Sequence, residues 1–183
     1  MRRSTVSWAA ALLTAPVLAL LPAGVTASAV PAGSAHAVAV RGGASDGKVG
    51  DTVRLTGFKK GEALDVTVIK VVDPARAEDA YLVPSAGKHL AAVQFRLKNT
   101  GTALYKDSPS NGATVVDKQG QRFNSSLFPT RAGAEFPATV TVRPGGTALG
   151  FISFEVPNGT KIVAVQFAMD SGFADDVGEW SVP

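Results

Sequence analysis

Catalysis by a nucleophile and a base has little support in this chain, because histidine is scarce. A serine–histidine–carboxylate arrangement needs a histidine that a carboxylate orients, and the sequence contains only His36 and His89. His36 lies in a stretch rich in small residues, whereas His89 opens a predicted strand, where we expect it to be exposed at the strand edge. The Gly-x-Ser-x-Gly pattern of a nucleophile elbow is absent. The sequence therefore predicts no catalytic residue.

Cofactor and metal sites are equally weak predictions. Zinc sites use cysteine and histidine, the chain has no cysteine, and the glycine patterns that bind nucleotides are absent. Four acidic residues near the C-terminus are candidate oxygen ligands for calcium: Asp170, Asp175, Asp176 and Glu179. An EF-hand loop that began at Asp170 would have Gly172 and Ala174 at its third and fifth positions, so that pattern fails. We predict no cofactor or metal residue and interpret the cluster as a solvated acidic turn, with an irregular calcium site as the alternative.

Paired carboxylates are the remaining route to catalysis. A glycosidase-type hydrolase needs two acids that face each other across a cleft, but the chain has 15 acidic residues, so the existence of pairs decides nothing. Glu155 alternates with the apolar residues Phe154 and Val156, which predicts that it points to solvent as an ordinary surface charge. A small secreted hydrolase that uses carboxylates alone therefore stays as an alternative function.

Two aromatic features are candidate contact points for a partner. Trp180 is the only tryptophan after Trp8. Tryptophan is common at binding hot spots, but we expect this one to seal the open end of a sandwich. Leu127-Phe128-Pro129 lies in an irregular stretch, and the sequence leaves open whether it forms a contact loop or tucks under a sheet.

The first residues of the chain predict export. Arg2 and Arg3 form a charged start, and residues 8–21 are an apolar run that suits a secretory signal peptide and is too short for a membrane helix. Residues 27–29, Ala-Ser-Ala, fit the cleavage pattern, and residues 35–37, Ala-His-Ala, fit it too. We predict a signal peptide over residues 1–29, with cleavage after Ala37 as the alternative, by the general secretory or the twin-arginine route. The product would be secreted, with no stable membrane insertion after cleavage.

Composition narrows the class of partner. Without Arg2 and Arg3 the formal net charge falls from +3 to +1, and the remaining basic residues are scattered, whereas nucleic-acid binding needs a basic cluster. We therefore predict no nucleic-acid partner. Because the chain lacks cysteine, packing alone must stabilise the exported domain. Residues 30–48, rich in Ala, Gly and Ser, predict a flexible linker, which leaves residues 49–183 as the folded domain.

Apolar residues at every second position predict strands throughout this domain. The predicted strands cover residues 51–56, 64–72, 89–98, 113–117, 121–123 and 138–142. The alternation fails at residues 69–72, which predicts a bulge or burial of both faces, and Pro74 is expected to end that strand. Residues 103–112 are interpreted as a loop and residues 125–135 as irregular.

The strongest pattern spans residues 143–169 and predicts a β-hairpin. In the first arm Ala148, Gly150, Ile152, Phe154 and Val156 share one face, and in the second arm Val163, Val165, Phe167 and Met169 do the same. Residues 157–159, Pro-Asn-Gly, supply the turn. Seven to eight short strands, with no long amphipathic helix after the signal peptide, predict an all-β, immunoglobulin-like antiparallel β-sandwich.

Several of these patterns together resemble a known family. They are residues 49–53, 64–74, 93–101, 116–121, 145–146, 150–151, 154–157 and 170–176, with Trp180. The domain is similar to a domain of unknown function in secreted proteins and lipoproteins of Gram-positive bacteria, with the fold of the mycobacterial immunoprotective extracellular antigen. The resemblance implies an immunoglobulin-like sandwich in an extracellular place, and it implies no reaction, cofactor or catalytic residue. Many relatives have a lipid-anchoring cysteine after the signal, which this chain lacks, so we expect release.

These observations favour a secreted, non-catalytic module that binds a protein or a cell-envelope component. The alternatives are the small carboxylate hydrolase, a calcium-dependent structural or adhesion module, and a purely structural or antigenic surface protein. The sequence does not identify the partner.

Overall fold

The computed structural model describes residues 45–81 and 83–183, and eleven strands dominate this part of the chain. The strands are β1 (Ser45–Lys48), β2 (Thr52–Thr56), β3 (Ala63–Ala75), β4 (Lys88–Asn99), β5 (Tyr105–Asp107), β6 (Ala113–Asp117), β7 (Arg122–Ser126), β8 (Val140–Val142), β9 (Thr147–Pro157), β10 (Ile162–Ala168) and β11 (Val177–Ser181). A short helix, α1 (Pro109–Gly112), and a 3-10 turn (Asp170–Gly172) complete the elements. The all-β prediction is confirmed, but the predicted count of seven to eight strands is wrong.

Nine of the strands form one folded sheet in the order β1-β11-β10-β6-β7-β9-β4-β3-β2, while β5 pairs with β8. Strand β7 pairs with β6 on one side and with β9 on the other, so it connects the two halves. The apolar faces of the halves meet in a shared core, where the rings of Phe95 in β4 and Phe167 in β10 lie 5.6 Å apart. The inward positions predicted for β4, from Ala91 to Leu97, are completely buried. The result is a β-sandwich.

The two end strands of this sheet, β1 and β2, follow each other in the chain across a tight turn. Asp51 N donates to Lys48 O at 2.8 Å, and Gly50 N donates to Val68 O at 2.8 Å. Trp180 is completely buried beside this turn and its indole N–H donates to Asp51 O at 3.0 Å. The prediction that Trp180 seals the sandwich is therefore confirmed, because the ring closes the seam between the two end strands.

The predicted β-hairpin over residues 143–169 is wrong. Strand β9 pairs with β4 and β7, whereas β10 pairs with β6 and β11, so the two arms lie in different halves of the sandwich. The turn itself forms, with Thr160 N donating to Pro157 O at 3.0 Å and a φ of 80° at Gly159. Turn chemistry specifies a reversal of the chain but not which strand lies alongside. Strand β4 decides the pairing, because its register with β9 runs unbroken from Lys88↔Pro157 to Lys98↔Thr147.

The start of the domain also differs from the prediction. Residues 45–48, assigned to the flexible linker, form β1 and pair in parallel with β11, from Ser45↔Gly178 to Lys48↔Ser181. A short strand of polar and small residues carries no alternation that the sequence could have shown. The predicted signal peptide and its two cleavage sites lie outside the described residues and stay predictions.

Strand β3 is longer than predicted and contains the expected irregularity. Its register with β4 shifts between Val68 and Lys70, which confirms the bulge. Pro74 does not end the strand, since Ala75 still pairs with Leu90 after a second irregularity. Proline lacks only the N–H, and a strand without a neighbour on one side tolerates that loss.

Two loop predictions need correction as well. Residues 103–112 contain β5 and α1, because the three residues of β5 find a partner in β8 that is distant in sequence. The predicted return strand 121–123 extends to Ser126, where β7 crosses to β9. Within the described residues, no helix is long and apolar enough to cross a membrane.

Candidate binding surface

Two irregular connections carry large apolar side chains that face solvent. One joins β3 to β4, and the other joins β7 to β8. Tyr81 is 92% exposed and Val83 70% exposed on the first connection, and Leu127 is 97% exposed on the second. We call these three side chains, with the connections that carry them, the loop surface. These connections, residues 76–87 and 127–139, are long for a compact domain, and long connections are frequently functional.

Backbone hydrogen bonds hold the two connections against each other. Glu78 N donates to Pro129 O and Arg131 N donates to Arg76 O, each at 2.9 Å, around the antiparallel bridge between Ala77 and Thr130. The Arg131 side chain adds a bond from Nε to Glu78 O at 3.2 Å. Because the pairing is antiparallel, the chain beyond Glu78 and the chain before Pro129 run to the same end. That geometry brings the residues around Tyr81 and Leu127 to one side of the sandwich.

Glu155 anchors the first connection to the sandwich. As predicted, its side chain leaves the outward side of β9, but it is not an ordinary surface charge. Its carboxylate accepts bonds from Ser85 N at 2.7 Å and Ser85 Oγ at 3.2 Å, and it pairs with Lys88 Nζ at 3.7 Å. The backbone N–H of Ser85 is the main cause that lowers the pKa of Glu155, with the Ser85 hydroxyl and Lys88 adding to it.

A shallow cavity of about 420 Å³ lies along the second connection. Glu78, Pro129, Thr130, Arg131, Gly133, Ala134 and Glu135 line it. Thr130 is buried, and its hydroxyl oxygen has no hydrogen-bond partner among the described residues. The question about Leu127-Phe128-Pro129 is also answered, because Leu127 faces solvent while Phe128 is half-buried. Leu127 therefore does not tuck under the sheet.

His89 is not the exposed edge residue that the sequence predicts. Its Nε2 lies 2.7 Å from Asp73 Oδ1, and each side chain is only 21% exposed. The second shift in β3, between Val72 and Ala75, places Asp73 opposite the start of β4, an offset that the sequence does not show. His89 and Asp73 together bridge the ends of two neighbouring strands.

The four acidic residues considered for calcium do not converge. Asp170 accepts a bond from Phe58 N at 2.8 Å, and Asp176 accepts bonds from Thr56 N and Thr56 Oγ1 at 2.9 Å each. Glu179 accepts a bond from Gln166 Nε2 at 2.6 Å. In the part of the chain that the structure describes, no three His, Asp or Glu side chains form a group able to hold a metal ion. Asp170 and Asp176 instead bind the backbone at the end of β2.

One pair of carboxylates does come close together, at the turn between β2 and β3. Glu62 Oε2 and Asp170 Oδ2 would lie 2.7 and 2.9 Å from a Cβ placed on Gly57. Glu62 has a side chain only 4% exposed and accepts bonds from Lys59 N and Lys59 Nζ, while Asp170 accepts from Phe58 N. Both acids are therefore engaged in shaping the turn, which differs from two acids that face a substrate across a cleft.

Sequence reasoning missed a partly buried polar network beside this turn. Asp107 accepts bonds from Ser108 N, Ser171 N, Ser171 Oγ and the hydroxyl of Tyr105. Burial and the neighbouring Asp107 carboxylate raise the pKa of Tyr105 well above its usual value. Ser171 and Asp170 have left-handed φ values of 57° and 54°, uncommon for residues with a side chain. The Asp-Ser-Gly sequence at 170–172 is a turn signal, but the partner Asp107 is distant in the chain.

Comparisons with known proteins agree with this fold. The family model described as Domain of unknown function (DUF4352) matches residues 48–177. None of the curated proteins matches the chain. The secreted protein MPT63 of Mycobacterium tuberculosis has a similar structure, with a TM-score of 0.53 and 17% identity over 76% of this chain and 98% of MPT63. The yjhA protein of Bacillus subtilis aligns with a TM-score of 0.49 and 17% identity over 74% of this chain and 99% of its own.

Proposed function

Because the chain belongs to the DUF4352 family, we propose that it is a secreted, non-catalytic β-sandwich module of the immunoglobulin type that binds a protein or a cell-envelope component. The observation that carries this proposal is the loop surface, where Tyr81, Val83 and Leu127 expose most of their apolar area. Exposed apolar groups held on a rigid scaffold are typical of interaction sites. Tyrosine is also among the residues enriched at binding hot spots.

Secretion is supported by a prediction from sequence and by a similarity of fold. The predicted signal peptide begins the chain, and the fold is shared with MPT63, which is itself a secreted protein. The absence of cysteine favours release over lipid anchoring.

The loop surface suits contact better than chemistry. Two charged side chains help to hold the connections, since Glu155 of β9 binds Ser85 and Arg131 binds the Glu78 carbonyl. The side chains of Tyr81, Val83 and Leu127 extend into solvent beside exposed charged residues such as Arg76 and Asp79. A partner that covers these three apolar side chains would gain roughly 25 cal/mol per Å² of buried apolar area, before the costs of association.

A capture experiment from the culture envelope tests the proposal. The exported protein is immobilised beside a double variant, Tyr81→Ser with Leu127→Ser, and beside the matched control Leu149→Ser. Leu149 is 56% exposed on β9, opposite Arg96, and its loss removes apolar area away from the loops. We expect the same partner to be captured by the wild type and the control, and to be lost from the double variant.

Folding of each variant is checked by fluorescence of the buried Trp180. Equal capture of the partner by the double variant would show that the loop surface is not the binding site. If the wild type captures nothing above an empty support, the purely structural or antigenic alternative is favoured instead.

A further inference from the structure

Strand β3 has a free edge along its second half. Strand β4 pairs with β3 from Leu64 to Ala75, but β2 covers the other side only from Ala63 to Thr67. The last bond on that side is Gly50 N to Val68 O at 2.8 Å. Among the described residues, no strand pairs with this side of β3 between Ile69 and Asp73. A free edge presents unpaired N–H and C=O groups to a neighbouring extended chain.

The accessibility of Asp73 shows that the last residue of this edge is open to solvent. Its side chain is only 21% exposed because it lies against His89, yet the residue as a whole is exposed. The accessible part of Asp73 is therefore largely main chain. At about 3.3 Å per residue, residues 69–73 offer roughly 17 Å of edge.

An apolar cavity of about 420 Å³ lies beside the same edge. Val49, Val71, Ile162, Val182 and Pro183 form its apolar part, and Lys70, Asp73 and Lys161 form its polar rim. The cavity opens at the seam, where the end of β11 and the start of β10 approach β3. An edge with an adjacent pocket for alternate side chains is the arrangement used in recognition by strand addition.

The charges around the edge indicate which kind of strand fits. In the described residues, neither Lys70 nor Lys161 takes part in an ion pair, whereas Asp73 is paired with His89. Lys70 lies with its ammonium 5.1 Å from the centre of the Phe151 ring. Phe151 belongs to β9, across β4, so the Lys70 charge lies away from the free edge. The bulge after Val68 and the exposed Lys161 oppose pairing with a second copy, since charged side chains and bulges are devices against self-association. An acidic partner strand would carry the charge opposite to that of Lys161.

We propose that residues 69–73 of β3 bind an extended, acidic peptide segment of another protein by strand addition, with one apolar side chain in the cavity of Val49, Val71, Ile162 and Val182. The backbone groups of β3 supply the hydrogen bonds, and Lys161 favours acidic residues in the segment. This site is separate from the loop surface, so the failure of either proposal leaves the other standing.

The test uses the exported protein, labelled with nitrogen-15, and a seven-residue peptide of alternating glutamate and valine with blocked ends. We expect peptide-dependent shifts at the amides of residues 69–73 and of Val182. The same peptide with N-methyl groups on alternate residues keeps its side chains but loses the donors on one edge, and we expect it to lose binding. A peptide with lysine in place of glutamate tests whether binding depends on the acidic charge of the peptide.

The variant Lys161→Glu gives a matched charge reversal on an exposed residue, and Lys60→Glu is its control in the distant turn between β2 and β3. We expect Lys161→Glu to weaken binding of the acidic peptide by at least about fivefold, the factor for one close charge pair in water, and to favour the lysine peptide. The Lys60→Glu variant is expected to bind as the wild type does.

Three results would overturn the proposal. One is the absence of shifts at residues 69–73 with millimolar peptide, and another is undiminished binding of the N-methylated peptide. The third comes from hydrogen exchange of the free exported protein: if the amides of residues 69–73 that face away from β4 are already protected, another segment of the chain occupies the edge.

Discussion

Replacing Asp107 with alanine removes the acceptor that joins β5 to the left-handed turn at residues 170–172. Its carboxylate accepts bonds from Ser108 N at 2.7 Å, Ser171 N at 2.9 Å, Ser171 Oγ at 2.7 Å and the Tyr105 hydroxyl at 3.3 Å. A hydrogen bond to a charged group contributes about 1.5–3 kcal/mol to stability. Water can replace the carboxylate at the two half-exposed serines, Ser108 and Ser171.

Water has less access to Tyr105, which is only 2% exposed. Leaving its hydroxyl without a partner costs about 1–3 kcal/mol. Together with the lost support for the left-handed residues Asp170 and Ser171, we expect Asp107→Ala to lower the free energy of unfolding by about 3–4 kcal/mol. The Ser171→Ala variant removes one donor and is expected to cost about 1 kcal/mol.

Urea unfolding followed by Trp180 fluorescence measures these losses. Adding Tyr105→Phe to Asp107→Ala removes the buried hydroxyl that the single variant leaves unpaired. The double variant is therefore expected to be less destabilised than the sum of the two single variants. A loss below about 0.5 kcal/mol for Asp107→Ala, within the range of an ordinary surface substitution, would refute the view that this carboxylate organises the turn.

Three further outcomes are expected. Replacing Thr130 with valine keeps the shape and removes the buried hydroxyl without a partner, so the free energy of unfolding is expected to rise by up to about 1 kcal/mol in urea titrations, and a loss would contradict the assignment. The Ser85 N–H lowers the pKa of Glu155, so this carboxylate stabilises the fold above its ordinary pKa of about 4.5. The contribution is lost as pH falls through the lower pKa of the folded state. The variant Glu155→Gln is therefore expected to have a melting temperature that is less sensitive to acid. The fold raises the pKa of Tyr105, so the contribution of this residue to stability is present below the ordinary pKa of about 10 and is lost as pH rises further. In the variant Tyr81→Phe, Tyr105 is the only tyrosine left. Tyrosinate absorbance of this variant is expected to appear only together with unfolding.

The predictions from sequence succeed where a local pattern has one physical meaning. In β4 the alternation from Ala91 to Leu97 indicates a strand whose inward face is buried, and the inward residues are buried. The burial of Leu90 and Ala92 on the opposite face is not part of that pattern. The break in alternation after Val68 predicts the bulge for the same reason. Phase along a strand is a local property, so neighbouring residues suffice to reveal it.

The loop surface and the edge of β3 depend on relations that are not local. The position of the loop surface depends on the pairing of Ala77 with Thr130, two segments separated in the chain by four strands, β4 to β7. The free edge follows from the short length of β2, which ends its pairing at Thr67. Neither relation leaves a signal in the residues themselves, because any of these segments could pair with a different neighbour.

From its residues alone the protein is determined to be a disulfide-free β domain of a known family, with Trp180 inside, because hydrophobic alternation and composition act through the chain's immediate neighbours. The tertiary structure decided that the arms around Gly159 separate into the two halves of the sandwich, that residues 45–48 join β11, and that Asp107 supports the turn at Ser171. Local sequence does not decide these pairings, because several strands have a similar β propensity. Which strands pair depends on the packing of the whole core, because the lengths and registers of strands that are distant in sequence must be compatible with one another.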